Sequence, residues 1–263
     1  MQVVILAGGL GTRLGDLTSE IPKPMVKICN YPILLQIINH FYSFGHKDFV
    51  ICLGYKQEVV KNYFLNMSFY NNNIEISGEK VSLIEENKNL FPDATFKLID
   101  TGLDTMTGKR LLKVKKFLKK DEPFYVTYGD GISAIDLNSL LEFHKAHNGI
   151  ATVTSVHPSA RFGEVLSNNI GLVNSFKEKP NVQDAWINGG YFVFEHNVFR
   201  YIDKSMNEML EQNPLEKMVD EKQLYTYKFE GYWRCMDTPR DLNSIIEDVK
   251  CGRYPYALRN EIK

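Results

Sequence analysis

Short apolar runs alternate along the chain with stretches whose apolar residues recur every three or four positions. Residues 3–6 and 49–53 are two such runs. Between them, 32–44 carries Ile33, Leu34, Ile37, Ile38 and Phe41 on one side and ends at Gly45. The runs predict buried strands and the intervening pattern an amphipathic helix. The alternation continues with a helix near 58–65, strands at 81–84, 95–98 and 124–127, a helix at 137–147 and a strand at 151–156. Strands alternating with helices predict an α/β fold: a mostly parallel sheet flanked by helices. Past residue 156 the pattern changes to short strands and turns at 163–166, 172–177 and 191–195, predicting a small β-rich lid inserted beside the sheet. Helices at 197–202 and 211–221, a strand at 224–229 and a helix at 239–249 complete the pattern. No internal repeat is visible.

The first predicted strand runs straight into Leu6-Ala7-Gly8-Gly9-Leu10-Gly11-Thr12-Arg13. Three glycines in four positions leave the backbone N–H groups bare enough to wrap a phosphate. Thr12 adds a hydroxyl, Arg13 a forked cation, and Lys23 follows between Pro22 and Pro24 as a second cation. Two common phosphate loops are excluded by spacing. A dinucleotide fingerprint needs a small residue where Leu14 stands. A Walker loop needs a hydroxyl where the nearest approach, from Gly102, has Arg110.

Composition narrows the partners. The net charge is −1 with 44% hydrophobic residues, and no basic stripe suggests a nucleic-acid groove. The lysines of 113–120 read as a solvated helix face. Cys29, Cys52, Cys235 and Cys251 lack metal-site spacing and are too few for a disulfide framework. No apolar run is long enough to span a bilayer. His144 and His147 read as exposed residues of the 137–147 helix.

Other residues carry possible chemistry. Asp130 follows a predicted strand between two glycines, where an open parallel sheet presents groups to a ligand. Asp237 precedes the last helix. Taken singly, Asp130 reads as a turn residue and Asp237 as a helix N-cap. Glu178-Lys179-Pro180 and Asn188-Gly189-Gly190 are, singly, ordinary loop compositions.

Gly8 to Leu14, followed by Pro22-Lys23-Pro24-Met25, resembles the signature of the sugar-1-phosphate nucleotidyltransferases. Within that family, Asp100-Thr101-Gly102 and Thr105-Met106-Thr107-Gly108-Lys109-Arg110 are similar to the glucose-1-phosphate cytidylyltransferases. The likeness spans nearly the whole chain and lapses between residues 66 and 91. It implies one domain, 1–263, of the nucleotide-diphospho-sugar transferase type, with a Rossmann-like mixed sheet. Its nucleotide-binding part covers about 1–156, its sugar-phosphate-binding part about 157–230, and a helical segment 239–263.

The resemblance further implies that CTP and glucose 1-phosphate yield CDP-glucose and pyrophosphate, serving polysaccharide synthesis. Catalysis falls to Arg13, Lys23, Asp130 and Lys179. The nucleotide meets Leu6, Ala7, Gly8, Gly9, Leu10, Gly11, Thr12, Arg13, Lys23, Thr105, Arg110 and Gly129. The sugar phosphate meets Glu178, Lys179, Asn188 and Gly189, and Asp130 with Asp237 holds Mg²⁺. A cytoplasmic homo-oligomer without nucleic-acid or membrane partners is also implied. Two alternatives stay open: another nucleotide or sugar phosphate, or a catalytically silent nucleotide-sugar sensor.

Overall fold

The computed structural model describes residues 1–15, 17–84, 89–158, 164–177 and 185–258, with backbone only at 164–167 and 176–177. Seven strands form the central sheet: β1 (Gln2–Leu6), β2 (Asp48–Leu53), β3 (Thr95–Asp100), β4 (Phe124–Tyr128), β5 (Ala151–Val156), β6 (Ile187–Phe194) and β7 (Leu224–Phe229). Their order is β7-β5-β6-β4-β1-β2-β3. Only β6 runs against its neighbours; the other pairings are parallel.

β1 is buried along its whole length, as a strand covered on both faces must be. Val3 and Ile5 pack on one side with the helix Ile33–Ser43 and the helix Pro239–Lys250. Val4 and Leu6 pack on the other with Leu111 and Val114 of the helix Thr107–Val114. Burying each such aliphatic side chain contributes about 1.5–3 kcal/mol. The final segment covers the first long helix. Gln36 accepts from Leu258 N–H at 2.7 Å and donates to Leu258 O, while Asn39 donates to Tyr256 O at 2.9 Å.

Three expectations need correcting. Tyr191, expected in the lid, lies in β6 at the middle of the sheet. Its antiparallel course lets the chain enter the sheet from the lid side, which alternation alone does not reveal. The residues 164–177 do form a separate two-stranded ribbon, Glu164–Ser167 with Val173–Lys177. Among the described residues, the predicted strand at 81–84 pairs only with Ile74–Ser77, in a hairpin outside the sheet. Third, His144 is buried, and the helix carrying it ends at Lys145, before His147. Both rings hydrogen-bond Thr152 Oγ1, at 2.8 and 2.7 Å, so they tie this helix to β5.

Candidate active site

The sheet order reverses at β1, with β2 on one side and β4 on the other, and ligands of open α/β sheets bind at such a switch. A cleft of about 1240 Å³ opens there, lined by the residues 6–13 loop, Lys23, Asp130, Asn188 and Asp237. The loop is shaped from below. Gly8 O accepts from Tyr55 N–H and from the Arg110 guanidinium at 2.9 Å. A Cβ on Gly8 would stand 2.2 Å from Arg110 Nη1. Gly11 sits at φ 68°, a left-handed conformation that favours glycine. At Gly9 a Cβ would meet nothing within 4 Å, so the protein's own packing does not require that glycine. Among the described residues, no acceptor meets the N–H groups of Gly9, Leu10, Gly11 and Thr12. A short loop of free amides facing a cleft is a ready anion seat.

Lys23 begins a one-turn helix, Lys23–Met25, and is only 8% exposed. Its ammonium lies 2.5 Å from Asp130 Oδ2 and 2.8 Å from Asp237 Oδ1. Burial opposes the charge, but the two carboxylates outweigh it and hold the lysine pKa above its ordinary value. Arg13, with 70% of its side chain exposed, reaches Asp237 Oδ2 at 2.9 Å.

The two aspartates, distant in sequence, are brought together by a small antiparallel ribbon. Gly131–Ser133 pairs with Trp233–Cys235, and Met236 N–H donates to Asp130 O at 2.9 Å. The helix after Asp237 is capped by Thr238, whose Oγ1 accepts from Asp241 N–H while Asp241 answers Thr238 N–H. Such a cap is worth about 1 kcal/mol. Because Thr238 fills this role, the Asp237 carboxylate is left to face the cations, which decides against the N-cap reading.

Asp130, Asp237 and Cys235 offer ligand atoms that all lie within 4.8 Å of one another. Burial pushes the Cys235 thiol up to about 12, so it remains protonated at neutral pH. Two carboxylates without a thiolate suit a hard, oxygen-seeking divalent cation. The ammonium already resting between them shows that the pocket tolerates positive charge.

Arg110 reaches the cleft from below. It is 4% exposed and lies beneath the loop, donating to the carbonyls of Leu53, Gly102, Gly8 and Leu103 and to Thr101 Oγ1. Gly8, Gly102 and Leu103 thus offer carbonyls already engaged within the protein, as does Asp104 with Asn207. Thr105 lines the cleft, its hydroxyl accepting from Lys113 at 3.2 Å. Gly129 N–H bonds Leu6 O and so joins the ends of β4 and β1.

On the opposite wall, the register of β5 and β6 slips between Val153 and Ser155, a bulge that opens β6 around Gly189 and Gly190. Asn188 is exposed in the cleft beside it. The adjacent glycines make room for protein: a Cβ on Gly189 would stand 2.9 Å from Val156 Cγ1, and one on Gly190 2.6 Å from Tyr128 Cδ2. Gly189 O accepts from Trp233 Nε1 at 2.7 Å.

The sequence pattern of the family described as "Nucleotidyl transferase" matches residues 2–250. The chain belongs to the nucleotidyl transferase family. It is 42% identical over 241 residues to a glucose-1-phosphate cytidylyltransferase of Salmonella typhimurium, covering 92% of this chain and 93% of that one. A probable glucose-1-phosphate cytidylyltransferase of Bacillus subtilis is 37% identical over 93% of this chain and 94% of its own. A UDP-glucose pyrophosphorylase complexed with UDP-glucose shares the fold, with TM-score 0.69 over 95% of this chain and 98% of that one at 17% identity.

Glu178 and Lys179 of this nucleotidyl transferase lie outside the described residues. Sequence reasoning passed over Leu103 and Met106, exposed apolar side chains on the cleft wall (51% and 46%) that could flank a planar base. Their signal was an apolar residue on each side of a polar turn. No described helix is long and apolar enough to cross a membrane.

Proposed function

We propose that this protein transfers the cytidylyl group of CTP to glucose 1-phosphate, giving CDP-glucose and pyrophosphate. The observation that carries this reading is the meeting of two cations and two carboxylates at the ends of β1 and β4, beside a loop of free amides. The specificity rests on the cytidylyltransferase relative at 42% identity.

In this reading a phosphate oxygen of glucose 1-phosphate attacks the α-phosphorus in line. A new P–O bond forms as the bond from the α-phosphorus to the bridging oxygen breaks, and pyrophosphate leaves with that electron pair. The attacking oxygen is already ionised at neutral pH, so the step needs no proton removed and no covalent enzyme intermediate. Catalysis is therefore positioning and charge stabilisation. The amides from Gly9 to Thr12 cradle the triphosphate. Arg13 turns to the departing pyrophosphate and Lys23 to the α-phosphate, both exchanging carboxylate partners for phosphate oxygens. Thr105 lies on the nucleotide side, and Arg110 keeps the loop in shape from beneath.

Glu178, Lys179, Asn188 and Gly189 serve the acceptor, with Lys179 on its phosphate. Asp130 and Asp237 fit a magnesium ion, which when bound neutralises charge on phosphoryl oxygens. A cytoplasmic homo-oligomer supplying polysaccharide synthesis completes the proposal.

The test is pyrophosphate release from CTP, UTP, dTTP, ATP and GTP, each with Mg²⁺ and glucose 1-phosphate. Release with CTP alone supports the whole reading. Release with another nucleotide overturns the base specificity. Nucleotide binding without release, for any of several sugar phosphates, favours a sensor.

A further inference from the structure

Between the two walls of the cleft runs a chain of hydrogen bonds that none of the roles above uses. Asn188 Nδ2 donates to the Tyr128 hydroxyl at 3.3 Å, and that hydroxyl donates to Glu211 Oε1. Thr107, at the start of the helix that follows Leu103 and Met106, donates from Oγ1 to Glu211 Oε2 at 2.6 Å. Both ends are anchored: Thr107 Oγ1 accepts from Leu210 N–H at 2.8 Å, and Asn188 Oδ1 accepts from Gly190 N–H at 2.8 Å.

The direction of this chain follows from one group. A carboxylate only accepts, and a phenol has a single proton. The Tyr128 proton must therefore point to Glu211, which leaves the phenol oxygen a lone pair for the Asn188 amide. Burial first, and then the Glu211 charge, raise the Tyr128 pKa, so the phenol stays protonated. With one N–H on Tyr128 and its oxygen on Gly190, Asn188 has one orientation and a second N–H left for a ligand oxygen.

We infer that Glu211 is a positioning residue for the acceptor sugar, acting through Tyr128 to fix the Asn188 amide. This rests on the reading above that Asn188 meets the sugar phosphate. Glu211 itself touches no reacting atom. It opens a stretch read from sequence only as a helix, 211–221, so nothing in the pattern marked it.

The test compares Glu211→Leu, Glu211→Gln, Tyr128→Phe and the double variant Tyr128→Phe/Glu211→Leu in steady-state kinetics. For Glu211→Leu, KM for glucose 1-phosphate should rise about 10-fold, with kcat and KM for CTP changing no more than about twofold. Glu211→Gln should restore most of the loss, since its carbonyl can accept from Tyr128 and its amide can donate to Thr107. The double variant should be no worse than either single one, because both break the same chain.

Equal rises in both KM values, multiplicative losses in the double variant, or no rescue by glutamine would each overturn the inference. If Glu211→Leu does not fold, Tyr128→Phe alone must still give the same split. If the wild type turns over a different sugar phosphate, the split is read on that one. If it turns over none, the reading above fails, and the inference is judged in the free protein from the Asn188 side-chain amide NMR signals. These must move in Glu211→Leu and return towards wild type in Glu211→Gln; unmoved signals would overturn it.

Discussion

Two buried cations sit on opposite sides of the same glycine loop and are neutralised in different ways. Arg110 lies beneath it and meets four backbone carbonyls and a hydroxyl. Lys23 lies in front of it and meets two carboxylates. Carbonyl dipoles belong to the fold and cannot be traded, so Arg110 is a fixed strut. Carboxylates can change partners when other charges arrive, so Lys23 can exchange its partners as the proposed reaction requires. In the proposed site, therefore, burial does not separate a structural from a functional cation; the partners do.

The sharpest way to break that contrast is to remove each cation. In the proposed site, Lys23→Met should cut turnover by about 10³-fold or more, in the range of losing one transition-state electrostatic contact. Its melting temperature should stay within a few degrees of wild type, about the shift of 1 kcal/mol in a chain this size. A melting temperature that collapses along with activity would put Lys23 in the strut class.

Arg110→Met should do the reverse. Leaving several buried acceptors unpaired should cost about 3–5 kcal/mol in urea denaturation. A normally stable Arg110→Met protein with only a raised nucleotide KM would erase the distinction.

A third buried group sharpens the comparison because it has too few partners to hold a charge. His40 is buried with one carbonyl, that of Ile135 at 2.8 Å, and burial lowers its pKa to about 4. His46, beside the N-terminal ammonium, is likewise lowered to about 4, first by burial. Both rings are neutral when folded at neutral pH, whereas the unfolded chain binds their protons below the ordinary histidine value of 6.5. Stability should therefore be complete above that value and fall with pH down to about 4, by roughly 3 kcal/mol per histidine. Denaturation midpoints across this window should show the slope, and His40→Gln should reduce it. A slope unchanged in His40→Gln would count against the assignment.

The smallest effect concerns metal. With its ammonium between Asp130 and Asp237, Lys23 competes with a divalent cation for the same carboxylates. Mn²⁺ titrated without nucleotide and followed by electron paramagnetic resonance should bind weakly to the wild type and about 10-fold more tightly to Lys23→Met, a difference of roughly 1.4 kcal/mol. Equal affinities would mean that the lysine does not guard the pair.

What could be read from the chain divides along similar lines. The glycine loop was legible because Gly8 to Arg13 are contiguous and their chemistry is local. Asp130 was legible from its place at a strand end. The union of Asp130 with Asp237 depends on a ribbon between segments far apart in sequence, which no local pattern specifies. The contacts of Arg110 beneath the loop were not legible because its partners are mostly main-chain carbonyls, and these leave no trace in side-chain identity. His144 was misread as surface because its hydrogen-bond partners, Thr152 and Glu195, come from beyond the helix that carries it. Tyr191 was assigned to the lid because a strand entering a sheet antiparallel breaks the alternation on which the prediction relied.

The cover that Tyr256 and Leu258 place over Gln36 and Asn39 has a consequence for synthesis. Translation makes the glycine loop and the first long helix well before the residues that satisfy that helix's polar face, and well before Asp237. A ribosome-bound chain ending near residue 230 would hold the loop and Lys23 but only one of the two carboxylates. Maturation of the proposed site thus waits until the segment 237–258 has been made.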